Sequence, residues 1–413
     1  MTASISFCNI IMISPDNTWL LWGICILGAS SAILLEQRYK WAAKVGGTLI
    51  ALFMAVMLSN MGIIPRESTV WDAVWNYLVP FCLPMLLFKC NIRCLSRDVG
   101  RILTVFLIGT VGTATGAIAG FFILRQKIPQ LDRLAGAFTG TYTGGRSNFT
   151  EICSCLGIGS DVASSAAVAD DFLMSLYFVV LTLLPVIGFF RRNFRHPLQD
   201  DIEADAAAFT SASHRPYIPA YSDGGPISIR DIALMSGISA VIVSISHGIA
   251  GLCAGMIPQT NVMNMMAEAL LGNVYVWICV LSILCASLMP DFLGNINGTY
   301  EIGTFIIYIF FFVIGVPVSA AFIMNDSAIL LLYALIVIVF NMLFCFVIGK
   351  LLGCSLEEII IASNANIGGP ATAAAMAVTK GWSRLAGPAI IVGVLGYALG
   401  TYLGLIVGSL LGA

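Results

Sequence analysis

The chain has 413 residues, of which 59% are hydrophobic and 10% charged, with a mean hydropathy of +0.94 and a net charge of −2. Soluble globular chains carry about 25% charged residues, so this composition excludes a soluble domain. With no basic balance or tail, it also points away from a nucleic-acid partner.

Apolar runs long enough to cross a bilayer, which takes about 20 helical residues, recur along the chain. The spacing predicts spans at roughly 18–36, 42–63, 70–88, 102–124 and 162–190 in the first half. The second half carries spans at roughly 231–253, 268–289, 301–323, 328–352 and 385–411. No charged region precedes the first run, so no cleaved signal peptide is expected. Pro80 and Pro84 predict a kink in the third span. The polar stretch 191–230, opening Arg191-Arg192-Asn193-Phe194-Arg195-His196-Pro197, reads as a solvated linker. Twelve cysteines are scattered through apolar segments without zinc or disulfide spacing, and read as packing residues.

Two stretches, near 134–157 and 358–380, are apolar but rich in Gly, Asn and Thr. Gly144-Gly145 and Gly368-Gly369 lie 224 positions apart, and the same offset carries Gly157 onto Gly381 and Val168 onto Val392. Each stretch follows apolar spans and precedes one, as internal copies would. Lys and Arg favour the cytoplasmic side of short loops. With the N-terminus outside and each Gly-Gly stretch a re-entrant hairpin, fifteen basic residues fall inside and four outside. Each half then has five crossings, and an odd number inverts the second half relative to the first. Two broken helices that cross fully are the alternative. The chain thus divides into an N-terminal transmembrane repeat at 1–190, a cytoplasmic linker at 191–230 and a C-terminal repeat at 231–413.

Glycines in series weaken a helix by about 1 kcal/mol each and allow positive φ. Unwound backbone at membrane depth must be buried in protein or line a watery cavity. Its freed carbonyls can hold a cation, and helix N-termini can hold an anion. Candidate substrate contacts are therefore Thr141, Thr143, Gly144, Gly145 and Arg146 in the first motif, and Asn364, Asn366, Gly368, Gly369 and Thr372 in the second. Close helix packing through small residues is the competing reading. Asp170-Asp171 lies about nine residues into a span, or about 13 Å deep at 1.5 Å per residue. Ionisable groups at that depth are expensive and mark function. With Ser147 and Asn148, the two aspartates are the candidate coupling-ion ligands, for Na⁺ or a proton. Arg146 has two readings: it grips a substrate carboxylate, or it neutralises Asp170 or Asp171.

The chain resembles the DUF819 family of multispanning membrane proteins nearly end to end. The likeness runs through 13–22, Leu87-Phe88-Lys89, Gly144-Gly145-Arg146-Ser147-Asn148-Phe149, Ala169-Asp170, the stretch from Asn366 to Ala377, and Gly393-Val394-Leu395-Gly396-Tyr397. The family in turn is similar to the cation:proton antiporter and anion transporter superfamily, which includes glutamate and citrate symporters. The resemblance implies inverted repeats with interrupted helices or hairpins, and secondary transport coupled to Na⁺ or H⁺. Two departures stand out: Asp171 where the family often has Asn, and Asn91 where it often has an acid. An extra intramembrane acid implies a second cation or a proton.

The expectation is an all-α transmembrane protein of about ten spans plus two Gly-Gly hairpins or broken helices, in two inverted repeats. Its expected place is the bacterial cytoplasmic (inner) membrane, with both termini outside and the linker inside. It is read as a secondary transporter of a small organic solute, anionic by preference. Cation/proton antiport and a regulatory membrane protein are the alternatives. No HExxH, P-loop or Gly-x-Ser-x-Gly motif occurs, so no enzyme is expected. No cofactor is expected beyond bound Na⁺, and the partners expected are the solute, membrane lipid and a homodimer as candidate assembly.

Overall fold

The computed structural model describes residues 13–88, 92–204, 226–257, 262–318 and 328–413. Asn91 and linker residues 205–225 lie outside them. The described residues are helical throughout, without strands. Seven helices are long and apolar enough to cross a membrane: α1 (Thr18–Arg38), α3 (Thr69–Leu87), α4 (Ile92–Leu124), α7 (Ser160–Leu183), α8 (Ile229–Met256), α12 (Ala328–Leu351) and α15 (Ala386–Leu411). Three shorter apolar helices, α2 (Gly47–Asn60), α10 (Val274–Leu288) and α11 (Thr299–Gly315), complete the ten expected. The span expected at 268–289 is two pieces, α9 (Val262–Leu271) and α10. The Pro80 kink is a π-helical turn at Val74–Leu78, where the Val79 N–H reaches back to the Val74 carbonyl. Pro80 has no N–H to close the next turn, so the helix widens before it.

Both Gly-Gly stretches are hairpins. The first is α5 (Leu131–Gly144) and α6 (Arg146–Cys155), and the second is α13 (Leu356–Ile367) and α14 (Gly369–Thr379). In the first, Gly136 faces Leu156, Gly140 faces Ile152 and Gly144 faces Asn148, as in two antiparallel arms. In the second, Asn364 bonds to the Thr372 carbonyl and to Met376 Sδ. The offset of 224 carries over to the backbone: Gly145 and Gly369 have φ of +95° and +79°, Gly157 and Gly381 +63° and +74°. Glycine takes these values without the steric cost a Cβ brings. The closing bonds Gly157 N–H to Ser154 O and Ile158 N–H to Cys153 O recur as Gly381 to Val378 and Trp382 to Ala377.

The competing reading, close packing through small residues, describes how the first hairpin is held, against a partner the sequence did not name. Gly136, Gly140 and Gly144 on α5 face Gly404, Gly400 and Gly396 on α15, so that an added Cβ on Gly144 would lie 2.0 Å from the Gly396 carbonyl oxygen. Small residues every fourth position let two backbones touch where lipid supplies no hydrophobic drive. The tip of the second hairpin meets α15 as well, Pro370 against Gly393. Gly408, on the same helix, contacts Gly136 near the base of the first. That is about 18 Å further along α15 than Gly396, at 1.5 Å per residue. The hairpins therefore enter from opposite ends of α15 and meet at their tips, where Gly145 Cα lies beside Gly369.

Helices α1, α2, α3, α8, α10 and α11 pack mainly on one another, and α4, both hairpins, α12 and α15 form a second group. Helix α7 bridges them, through Ser175 to the Ile314 carbonyl (3.1 Å) on α11 and Tyr177 to Ser363 (2.6 Å) on α13.

The start of the linker does not stand free. Residues up to 204 keep most side chains exposed or half-exposed, yet they dock on the base of the second hairpin. The Leu356 N–H donates to the Arg195 carbonyl (2.7 Å), the Gln199 N–H donates to Glu357 (3.0 Å), and Ile202 rests on Gly381. Phe190 and Phe194 pack edge-on against Phe346, and Lys350 sits over the Phe194 ring at 5.1 Å. The apolar residues Phe190, Phe194, Leu198 and Ile202 among the charges carry this docking.

Candidate functional site

Between the two helix groups lies a cavity of about 1010 Å³. Its mouth is formed by Arg66, Glu67 and Ser68 before α3 and by Val316 and Pro317 after α11. Its floor is the hairpin tips, at Gly145, Arg146, Gly368 and Ala371. Aromatic walls come from Trp71 and Trp75 on α3, Tyr275 on α10 and Tyr397 on α15. The widened turn before Pro80 carries Trp75, whose ring meets Phe310 edge-on at 4.6 Å. Tyr397 lies along both tips, within 3.8 Å of where a Cβ on Gly145 or Gly369 would stand.

The acidic pair splits into two roles. Arg146, the first residue of α6, forms an ion pair with Asp171. Both side chains line the cavity. Arg146 thus pairs with Asp171 rather than with Asp170. Asp170, about 100° further around α7, is 3% exposed and accepts a hydrogen bond from the Thr141 hydroxyl (3.2 Å). Tyr142 lies on its other side. Asp170 has only neutral donors, and no described basic side chain forms an ion pair with it. A buried carboxylate without a counter-ion is unfavourable by several kcal/mol. Thr143, fully buried next to the tip, has a hydroxyl without a hydrogen-bond partner.

The polar residues expected to line a substrate site mostly serve the hairpins themselves. Asn148 donates across its hairpin to the Gly140 carbonyl and to Gly396 on α15, both at 3.4 Å. Asn364 and Thr372 bond to each other at 3.2 Å. Asn366 donates to the Phe106 carbonyl (3.1 Å) and accepts from Thr110 (2.9 Å). The second hairpin therefore presents backbone and Ala371, rather than amides, to the cavity. Ser147 is on α6, its side chain outside the described residues.

A buried polar chain went unread. Asn341, in the middle of α12, donates to the Gly109 carbonyl (3.1 Å) and Thr113 (3.0 Å) and accepts from Ser363 (2.7 Å), itself bonded to Tyr177. Thr113 continues it to the Tyr142 carbonyl at 3.0 Å. The signal was available: an Asn among Val337, Ile338, Phe340, Met342 and Leu343 is a polar residue at membrane depth.

Residues 23–413 match the profile of the family described as "Protein of unknown function (DUF819)". The chain is 38% identical over 398 residues to the uncharacterized membrane protein YjcL of Bacillus subtilis (strain 168), an alignment covering 96% of this chain and 98% of that protein.

Proposed function

The chain belongs to the DUF819 family of membrane proteins, and we propose that it is a secondary transporter that couples movement of a small organic solute to Na⁺ or H⁺. One observation carries this: a cavity leads from one face to two interrupted helices, and beside their tips sits a buried aspartate with which no described basic side chain forms an ion pair. Interrupted helices meeting at a midplane site are a recurring transporter plan. In this reading the solute occupies the cavity against Gly145, Arg146, Gly368 and Tyr397. The coupling ion sits at Asp170 with the Thr141 and Tyr142 oxygens. We read the two halves as inverted repeats of the cytoplasmic membrane, the linker inside and the cavity open outward.

The opposite face is tied shut in this reading. Arg384 forks onto Asp98 (2.5 and 2.9 Å), and Arg101 reaches Glu358 (3.4 Å), at the base of the second hairpin. Alternating access requires these contacts to part. Cation/proton antiport without an organic solute is the second reading, favoured by the adjacent acids Asp170 and Asp171.

The test is Asp170→Asn in proteoliposomes. Coupled solute uptake is expected to fall to background while the protein stays folded, because the amide holds neither a proton nor a charge for a cation. Uptake that still follows the ion gradient in Asp170→Asn refutes the assignment. Exchange of cation for proton with no solute present selects the antiport reading.

A further inference from the structure

Resting on the transporter reading, we infer that the solute is a zwitterion carrying its ammonium and carboxylate on one carbon, with an apolar side chain: an α-amino acid of that kind. The Arg146–Asp171 pair is the receptor. Its members come from different elements, the start of α6 and the middle of α7, and both face the cavity next to the tips. The Arg146 side chain is 60% exposed and that of Asp171 11%, so the pair is open to a ligand on the Arg146 side.

Charge bookkeeping then selects the ligand. A lone anion on Arg146 strips Asp171 of its partner beside a second acid, Asp170. A lone cation on Asp171 does the same to Arg146. Either leaves one member of the pair without its counter-charge, and the greater cost falls on Asp171, whose side chain is only 11% exposed and lies beside Asp170. A zwitterion inserts between the two, its carboxylate on the guanidinium and its ammonium on the carboxylate, and leaves no charge unpaired. Because Arg146 and Asp171 touch, the two ligand charges must lie close together, as they do on one carbon. Trp71, Trp75, Tyr275 and Tyr397 give the remaining side chain an apolar, aromatic surface.

The probes are leucine and phenylalanine, each alongside its N-acetyl acid and its amide. The readout is thermal stability of the purified full-length protein, at fixed Na⁺ and again in K⁺. Zwitterions are expected to raise the melting temperature in a saturable way, and each blocked form to bind at least about tenfold more weakly. In Asp171→Asn the preference should invert, the N-acetyl acid binding as well as or better than the free amino acid. An N-acetyl acid or an amide that stabilises the wild type as well as its parent overturns the inference. So does silence from all three classes; if Na⁺ or pH still shifts the melting temperature, the transporter reading survives that loss. The wild-type series decides the matter even where Asp171→Asn fails to fold.

Discussion

Gly144→Ala probes the contact on which the hairpin architecture rests. The added methyl would stand 2.0 Å from the Gly396 carbonyl oxygen and 2.4 Å from its carbon, whereas Cβ atoms keep at least 3.0 Å from such neighbours. Helix α15 would have to retreat by about 1 Å, and close-packed interiors resist such shifts. It cannot retreat locally, because Gly400 and Gly404 are seated on the Gly140 and Gly136 backbones of the same seam. Overpacking of this kind costs about 1–3 kcal/mol, here at the upper end because the obstacle is backbone. The gain in helix propensity offsets at most about 1 kcal/mol. A net loss of about 2 kcal/mol shifts the folded-to-unfolded ratio roughly 30-fold, since 1.4 kcal/mol is tenfold. The matched control is Gly248→Ala in α8, where a Cβ meets nothing within 4 Å. The propensity gain should stand alone there. The assay heats detergent-solubilised protein and measures the fraction left in the monodisperse peak. Gly144→Ala should lose it well below wild type, and Gly248→Ala at or above wild type. Equal behaviour of the two variants would refute the seam as a stabilising contact.

Gly145→Ala and Gly369→Ala, at φ of +95° and +79°, should each destabilise by about 1–2 kcal/mol through backbone strain alone; unchanged melting of either would show that its tip takes another conformation. Asn341→Leu should cost about 2–3 kcal/mol, chiefly by stranding the buried Ser363 donor and the buried acceptors on Gly109 and Thr113. Adding Ser363→Ala should then cost little more, and full additivity in that double variant would disprove the network. His196 makes the docked linker pH-dependent. Its burial alone lowers its pKa, but the Arg191 carbonyl (2.9 Å) and the Asp200 carboxylate (2.8 Å) outweigh this and raise it above 6.5. A raised folded value means the contribution is fully present below about pH 6.5 and is lost as the pH rises through the folded value. Amide exchange at Leu356 and Gln199, corrected for intrinsic rates, should thus be slower at acid pH, and His196→Gln should abolish the difference; protection that strengthens with rising pH would contradict it.

Much of the architecture was legible in the chain because it depends on properties of consecutive residues. Hydrophobicity places apolar helices, and paired glycines interrupt them, so seven spans, three shorter apolar helices and the two breaks were legible, with the hairpin form one of two readings. An offset of 224 anticipated matching φ values at Gly145 and Gly369. The glycines at every fourth position of α5 and α15 were equally legible, but what they pack against is not a local property. Partners of polar side chains are chosen by elements far apart in sequence. Asn148, Asn364, Asn366 and Thr372 looked like ligand contacts, and packing turned them to carbonyls and to one another. Which aspartate Arg146 meets stayed open until α7 brought Asp171 to it. The linker's first residues were charged enough to look solvated, yet Phe194, Leu198 and Ile202 dock because the second hairpin offers a buried base. The sequence by itself determined which segments cross and where they break, since each segment must satisfy its own backbone in lipid. Only the tertiary structure decided that the breaks meet tip to tip and that, among the described residues, Arg146 pairs with Asp171 and not with Asp170, because those outcomes follow from contacts between distant helices.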